Sequence, residues 1–118
     1  MTRYRWTTVL AFVVLLGLLG HVERSDASTA SVFSIRSEPA IACWPYHPSL
    51  LRPGFYVAHK TLRCGTRVRF CFRGRCVRAR VADRGPYVPG REWDLDVRLQ
   101  RALGFPFGVA SVRARVLR

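Results

Sequence analysis

The stretch Arg78-Ala79-Arg80-Val81-Ala82-Asp83-Arg84-Gly85-Pro86-Tyr87 contains an alternating run that ends at an acid and a turn. Basic and apolar residues alternate as far as Val81, which is the period of a half-buried β-strand, and Gly85-Pro86 ends such a strand. Asp83 is therefore predicted to lie where a strand ends. There its carboxylate either reaches a ligand from a rigid position or caps the amides of the turn. This stretch alone leaves both interpretations open.

The residues before this stretch predict the other strand of a β-hairpin, with its turn at Arg73-Gly74. This register brings the apolar residues of both strands to one face. It also places Cys71 opposite Cys76, where a cross-strand disulfide is reasonable, and leaves Cys43 to pair with Cys64.

Arginines occupy the opposite face of this hairpin. The register predicts Arg69 opposite Arg78 and Arg67 opposite Arg80, which destabilises the ladder by roughly a few tenths of a kcal/mol per pair. These side chains either spread into solvent or bind an anionic ligand, and both alternatives stay open. The whole chain of 118 residues has 20 Lys and Arg and a net charge of +13. That charge favours a polyanionic partner, which composition alone does not identify among nucleic acid, membrane surface and acidic wall polymer.

The N-terminal region has the pattern of a secretory signal. A short basic lead, residues 2–6, precedes an apolar run of twelve, residues 9–20. Because the run is shorter than the ~20 residues of a spanning helix, we expect a signal peptide over residues 1–30, cleaved after Ala27 or Ala30. The protein is then secreted or retained in the cell envelope, and it contacts the membrane only through this signal.

Export affects how the four cysteines are interpreted. An even number of cysteines in a small exported chain predicts disulfides, and none of the spacings is C-x-x-C. We expect neither a metal nor any other cofactor. A disulfide-stapled, mainly β domain with one short helix is predicted.

The remaining elements complete this domain. Residues 31–40 are a lead-in or a first strand, and residues 41–118 form the folded domain. The helix begins after Asp96 as N-cap and ends before Gly104. A final alternating strand follows over residues 109–116.

Two blocks of the sequence resemble a rare lipoprotein A (RlpA)-like domain. They are Ala58–Val68 (AHKTLRCGTRV) and Asp83–Leu95 (DRGPYVPGREWDL). The resemblance covers residues 41–117. It implies a six-stranded double-psi β-barrel, the fold of expansins and some lytic transglycosylases, acting on bacterial peptidoglycan as a monomer with no nucleic-acid partner.

The resemblance also implies a catalytic group. Asp83 matches the acid of the family and His59 the histidine of its groove. Lytic transglycosylases cleave the bond between N-acetylmuramic acid (MurNAc) and N-acetylglucosamine (GlcNAc) without water, and one residue that switches from acid to base can perform both proton transfers. The expected substrate-binding residues are Arg84, Tyr87, Arg91, Asp94, Trp44 and Tyr46, where Trp44 and Tyr46 either stack on sugars or pack as a barrel plug.

One departure from the family affects the expected activity. RlpA enzymes carry a Gly-Glu element upstream of the groove histidine, whereas residues 42–48 here read ACWPYHP. Either Asp83 acts alone as an endolytic lytic transglycosylase, or the domain binds glycan without cleaving it, as expansins are thought to do. A third hypothesis is a basic secreted protein that binds other polyanions through its arginines.

Overall fold

The computed structural model describes residues 27–118 and shows a closed barrel of six strands. The expected signal peptide therefore lies outside the described residues, except for its last four positions. The strands are β1 (Ala27–Phe33), β2 (Tyr56–Ala58), β3 (Arg67–Phe72), β4 (Arg75–Asp83), β5 (Trp93–Asp96) and β6 (Ala110–Val116). The helix α1 is Val97–Leu103, and two 3-10 turns span Ile35–Ser37 and Pro48–Leu50.

The strands follow the order β1-β5-β2-β4-β3-β6 around the barrel, and β6 pairs with β1 to close it. The pairs β1–β5 and β2–β4 are parallel, and the other four pairs are antiparallel. The prediction of a mainly β, six-stranded domain with one short helix is confirmed.

The β3–β4 hairpin has the predicted register. Cys71 lies opposite Cys76, and the two form a disulfide with a Cα–Cα distance of 4.1 Å. Cys43 and Cys64 form the second disulfide, with Cα atoms 5.5 Å apart. Both predicted pairings are confirmed.

Strand β1 lies upstream of residue 41, where the sequence placed the start of the folded domain. Its first four residues pair with β6, and its last four pair with β5. Ala30 belongs to both sets and is fully buried. Residues 31–33 are thus a barrel strand and not a loose lead-in. The sequence ASTASVF is dominated by small residues and overlaps the expected cleavage region, so it has no clear strand pattern of its own.

Two apolar clusters hold the domain together. The barrel interior is filled by side chains that include Val57, Phe70 and Leu95, all with no exposed surface. A second cluster forms where the segment 34–54 packs on the outside of β2 and β4. Its members are Ile35, Ile41, Leu51, Tyr56 and Ala82. This second cluster holds an irregular segment against the outer surface of the sheet.

The predicted caps of α1 are both present. Asp96 accepts a hydrogen bond from the backbone N–H of Arg98, and Gly104 follows the last turn with a φ of 67°. Asp96 also accepts a 3.0 Å hydrogen bond from the N–H of Ile35, which ties the end of β1 to the helix. Within residues 27–118, no helix is long and apolar enough to span a membrane.

Candidate functional site

Asp83 is the last residue of β4, as predicted. Its Oδ1 accepts hydrogen bonds from the backbone N–H groups of Ala42, at 2.9 Å, and Arg84, at 2.8 Å. The interpretation of Asp83 as a cap of neighbouring amides is confirmed. Both bonds end on the same oxygen, and Oδ2 accepts no hydrogen bond from the described residues. The carboxylate is thus oriented through Oδ1 alone.

Asp94 lies on the other side of β2 from Asp83. Ala58 is in register with Asp83 on β4 and with Asp94 on β5. Since residues in register point to the same face of a sheet, both carboxylates leave the barrel on the same side, about 10 Å apart at Cα. The hydroxyl of Ser31 donates a hydrogen bond to Oδ1 of Asp94. The alanine between the two acids is itself buried, with 2% of its surface exposed.

His59 follows Ala58 and is held in one tautomer. Its backbone N–H donates to the carbonyl oxygen of Asp83 at 3.1 Å, which fixes it beside the acid. Its Nδ1 accepts hydrogen bonds from the N–H groups of Thr61 and Leu62, both at 3.1 Å. Because an acceptor nitrogen carries no proton, the ring proton lies on Nε2. His59 therefore offers a neutral N–H donor at the site.

The surroundings of His59 favour this neutral form. Burial lowers the pKa of His59 below its usual value of 6.5, and the Arg84 charge lowers it further, while Glu92 opposes the shift. Glu92 Oε1 lies 3.9 Å from Nε2, and the imidazole packs on the Trp93 ring at a centroid distance of 4.5 Å. Glu92 was not among the predicted site residues. Its position in the block DRGPYVPGREWDL, two residues before Asp94, was the only signal for it.

The side chain of Arg84 is hydrogen-bonded to the loop that follows β2. Its Nη1 donates hydrogen bonds to the backbone carbonyls of His59, at 3.1 Å, and Leu62, and its Nη2 lies 3.4 Å from Sγ of Cys64. The guanidinium therefore secures the loop after β2. A role of Arg84 in binding substrate stays a prediction.

Trp44 and Tyr46 lie on the loop that follows Cys43. They have exposed fractions of 44% and 70%, so they do not pack as a barrel plug. Both backbones have positive φ, 51° and 62°, a conformation that costs a non-glycine residue about 1–3 kcal/mol. Trp44 lies against Gly65, where an added Cβ would be 3.3 Å from the indole. The loop thus turns two aromatic rings outward.

Two further predicted residues lie on the loop between β4 and β5. Tyr87 is 75% exposed, and Arg91 is half-buried with its backbone N–H bonded to the Val88 carbonyl. The structure thus brings together Asp83, His59 and Asp94 at the adjoining ends of three strands. Two loops carry the other predicted residues. Tyr87 and Arg91 lie on the loop between β4 and β5, and Trp44 and Tyr46 lie on the segment between the two 3-10 turns.

Two known proteins with similar sequences are named as probable peptidoglycan transglycosylases. The chain is 48% identical to a protein of a Nostoc species named "Probable endolytic peptidoglycan transglycosylase RlpA". The match extends over 63 residues, which are 51% of this chain. Over 67 residues, 54% of the chain, it is 43% identical to a protein of Aquifex aeolicus with the same name. The matches span 17% and 30% of those two proteins. No protein-family model matches the chain. The resemblance to RlpA found in the sequence is confirmed over these regions.

Solved structures of two other kinds of protein, expansins and a cerato-platanin, have the same fold. An expansin of Clavibacter michiganensis superimposes with a TM-score of 0.61 at 23% identity, over 78% of this chain and 50% of that one. A mutant of a C. michiganensis expansin in complex with cellohexaose also gives 0.61, at 24% identity. Cerato-platanin 3 of M. perniciosa gives 0.59 at 14% identity, over 79% of this chain and 95% of that one. The barrel is thus the predicted six-stranded double-psi fold.

Proposed function

We propose that this barrel binds the glycan strands of bacterial peptidoglycan across the ends of β2, β4 and β5. The observation that carries the proposal is Asp83, which has one oxygen fixed by two amides and the other open beside Asp94 and His59. The similarity to two proteins named peptidoglycan transglycosylases supports a wall glycan as the ligand. The complex of an expansin mutant with cellohexaose supports glycan binding by a protein that contains this fold. The protein acts outside the cytoplasm, in the envelope or after secretion.

We further propose that Asp83 cleaves the MurNAc–GlcNAc bond without water. Protonated Asp83 donates its proton to the glycosidic oxygen as the C1–O bond breaks. The resulting carboxylate removes the proton of the C6 hydroxyl as its oxygen bonds to C1, which gives a 1,6-anhydro sugar and restores the acid. The Nε2–H of His59 donates to a sugar oxygen, and Asp94 stabilises positive charge that develops at C1.

Binding without cleavage is the second candidate function. It is favoured by the hydrogen bonding of Asp83, whose Oδ1 already acts as the acceptor of two amide N–H groups. The absence of an acid between Glu38 and Asp83 favours it as well. Under this alternative, Asp83 and Asp94 accept hydrogen bonds from sugar hydroxyls, and the exposed rings of Tyr46 and Trp44 stack on sugar faces.

One experiment separates the two functions. The purified protein is incubated with peptidoglycan sacculi, and the soluble fraction is searched for anhydro-muropeptides by mass spectrometry while the pellet is assayed for bound protein. Anhydro-muropeptides in the supernatant establish cleavage. Bound protein with no soluble product establishes the non-catalytic binder. Absence of both contradicts the proposed function.

A further inference from the structure

Glu92 and His59 bring two polar side chains together at the edge of the Asp83 site. Oε1 of Glu92 lies 3.9 Å from Nε2 of His59. This separation exceeds the length of an N–H···O hydrogen bond, which is about 2.7–3.2 Å between nitrogen and oxygen. The side chain of Glu92 is exposed and that of His59 is mostly buried. The two groups are therefore close neighbours that are not hydrogen-bonded to each other.

The backbone of β1 and a buried tryptophan position both groups. The N–H of Glu92 donates to the carbonyl oxygen of Thr29 at 2.9 Å, which continues the β1–β5 pairing by one residue. The next residue, Trp93, is buried, and its ring packs on the imidazole of His59. Two backbone amides hold the imidazole at Nδ1. The Nε2–H group is therefore fixed in direction, and the Glu92 side chain starts from a fixed backbone.

The pair combines one hydrogen-bond donor with one acceptor. Nε2–H of His59 donates, and the carboxylate of Glu92 accepts. A single oxygen atom can lie about 2.8 Å from both Nε2 and Oε1, because twice this length exceeds their separation of 3.9 Å. Such an oxygen accepts a hydrogen bond from His59 and donates one to Glu92.

This double requirement selects among the oxygen atoms that a ligand can offer. A hydroxyl group satisfies it, since its oxygen accepts and its proton is donated. An ether or carbonyl oxygen accepts from Nε2–H but has no proton for Glu92, so the carboxylate loses a partner. A ligand carboxylate is in addition repelled by the charge of Glu92. The pair therefore fits a hydroxyl group.

The pair also lies next to the two aspartates of the site. The backbone N–H of His59 is bonded to the carbonyl oxygen of Asp83. Glu92 precedes Asp94 by two residues, which separates their Cα atoms by roughly 7 Å in an extended chain and points both side chains to the same face. A sugar chain that contacts Asp83 and Asp94 can therefore place a hydroxyl at the pair.

We infer that Glu92 and His59 together bind one hydroxyl group of a sugar in the glycan. The inference rests on the proposed function, in which His59 alone donates to a sugar oxygen. It adds Glu92 as a specificity-determining residue and identifies that oxygen as a hydroxyl. Glu92 accepts a hydrogen bond from the sugar and removes no proton, so the proton transfers of cleavage stay with Asp83.

The test compares wild type, Glu92→Gln and the matched control Glu38→Gln by sedimentation with purified sacculi. The assay is run in the cold at increasing sacculus concentration. Glu38 and Glu92 are the two glutamates of residues 27–118, so each variant removes one negative charge by the same change of side chain. Sacculi carry many carboxylates, and the protein has a net charge of +13, so the loss of an acid alone strengthens non-specific attraction. Weaker binding by Glu92→Gln therefore cannot arise from net charge.

The hydroxyl site predicts that Glu92→Gln binds at least about threefold more weakly than wild type, because a neutral amide oxygen is a weaker acceptor than a carboxylate. Glu38→Gln should bind as tightly as wild type or more tightly. His59→Asn/Glu92→Gln should lose little more affinity than the weaker of its two single variants, since both groups hold the same hydroxyl.

Two results would overturn the inference while the proposed function stands. They are unchanged or tighter binding by Glu92→Gln, and losses in the two single variants that add fully in the double variant. A wild-type protein that does not sediment with sacculi contradicts the proposed function, and the inference falls with it.

Discussion

Asp83 and Asp94 lie in register with the same residue, Ala58, from opposite sides of β2. The two carboxylates therefore come from strands that are not neighbours, and a small side chain separates them. The site contains two acids on one face although no acid lies between Glu38 and the groove histidine. Asp94 supplies charge to the site without occupying the sequence position where RlpA enzymes carry a glutamate.

Replacing Asp83 separates chemistry from binding. Asp83→Asn keeps an oxygen that accepts the amides of Ala42 and Arg84, so the fold should be unchanged. Release of anhydro-muropeptides should fall at least about 100-fold, since acid–base catalysis is lost. Sedimentation with sacculi should be retained. Unchanged product release would remove Asp83 from the chemistry, and Asp94→Asn is the parallel variant for the second acid.

The buried imidazole of His59 makes stability depend on pH. Burial holds its pKa in the folded protein below 6.5, so below that pH the unfolded chain takes up a proton first. The stability that neutral His59 contributes is present above pH 6.5 and is lost as the pH falls through the folded pKa. We expect the thermal midpoint to fall between about pH 7 and about pH 5 more steeply than in His59→Asn, which keeps an acceptor but does not titrate. Parallel curves for the two proteins would contradict this account.

The two disulfides should differ in their effect on stability and activity. Cys43–Cys64 closes 21 residues and Cys71–Cys76 closes 5, so loop-closure entropy gives about 3 and about 2 kcal/mol respectively. Ala42 precedes Cys43 and donates to Asp83, so the double alanine variant at 43 and 64 should also lose glycan binding or cleavage. The variant at 71 and 76 is the control and should keep both. Urea unfolding and the sacculus assay measure the two effects.

The exposed aromatic rings should contribute to glycan affinity. Tyr46 is 70% exposed and forms no part of either apolar cluster, so Tyr46→Ala should leave the thermal midpoint unchanged. Stacking on a sugar is worth about 0.5–1.5 kcal/mol, which predicts a loss of affinity for sacculi of roughly twofold to tenfold. Phe107→Ala is a control at a ring of similar exposure on the loop before β6. Equal affinity of Tyr46→Ala and wild type would exclude Tyr46 from the binding surface.

The position of β1 predicts where the folded protein can begin. A chain that starts at Ala27 keeps every β1 residue that pairs with β6, whereas a chain that starts at Ser31 loses all four pairs and the buried Ala30. We expect the shorter chain to be less stable by at least about 2 kcal/mol, which lowers the Tm of a domain of this size by roughly 8–16 °C. Calorimetry of the two chains compares them directly. Equal midpoints would show that β1 is dispensable, and a stable shorter chain would permit cleavage after Ala30.

Local rules account for the parts of the fold that the sequence predicts. The hairpin register follows from alternation around Arg73-Gly74, and the caps of α1 follow from Asp96 and Gly104, because each depends on residues close in sequence. Strand β1 could not be assigned with certainty, since its partners are β5 and β6, more than sixty residues later. Pairing with strands that are distant in sequence produces no recognisable pattern in a short run of small residues.

Some features of the candidate site could likewise be predicted from the sequence, and others could not. Asp83 was singled out at a strand end and His59 from the resemblance, and the structure places the two residues side by side. Their functional roles stay predictions. The alignment of Asp94 with Asp83 depends on the parallel β2–β4 register and its irregularity between Val57 and Ala58, which no local pattern encodes. The inward turn of Arg84 likewise depends on carbonyls that the fold brings to it.

The pairing of β1 with the last two strands sets an order of events for a chain that crosses a membrane N-terminus first. The strand that emerges earliest has no partner until β5 and β6 have followed it. In a chain exported as proposed, the barrel would close only after β5 and β6 had crossed, and the Asp83 site would be assembled on the far side of the membrane. A chain stalled partway across would present an unpaired β1 to other proteins, including chaperones and proteases.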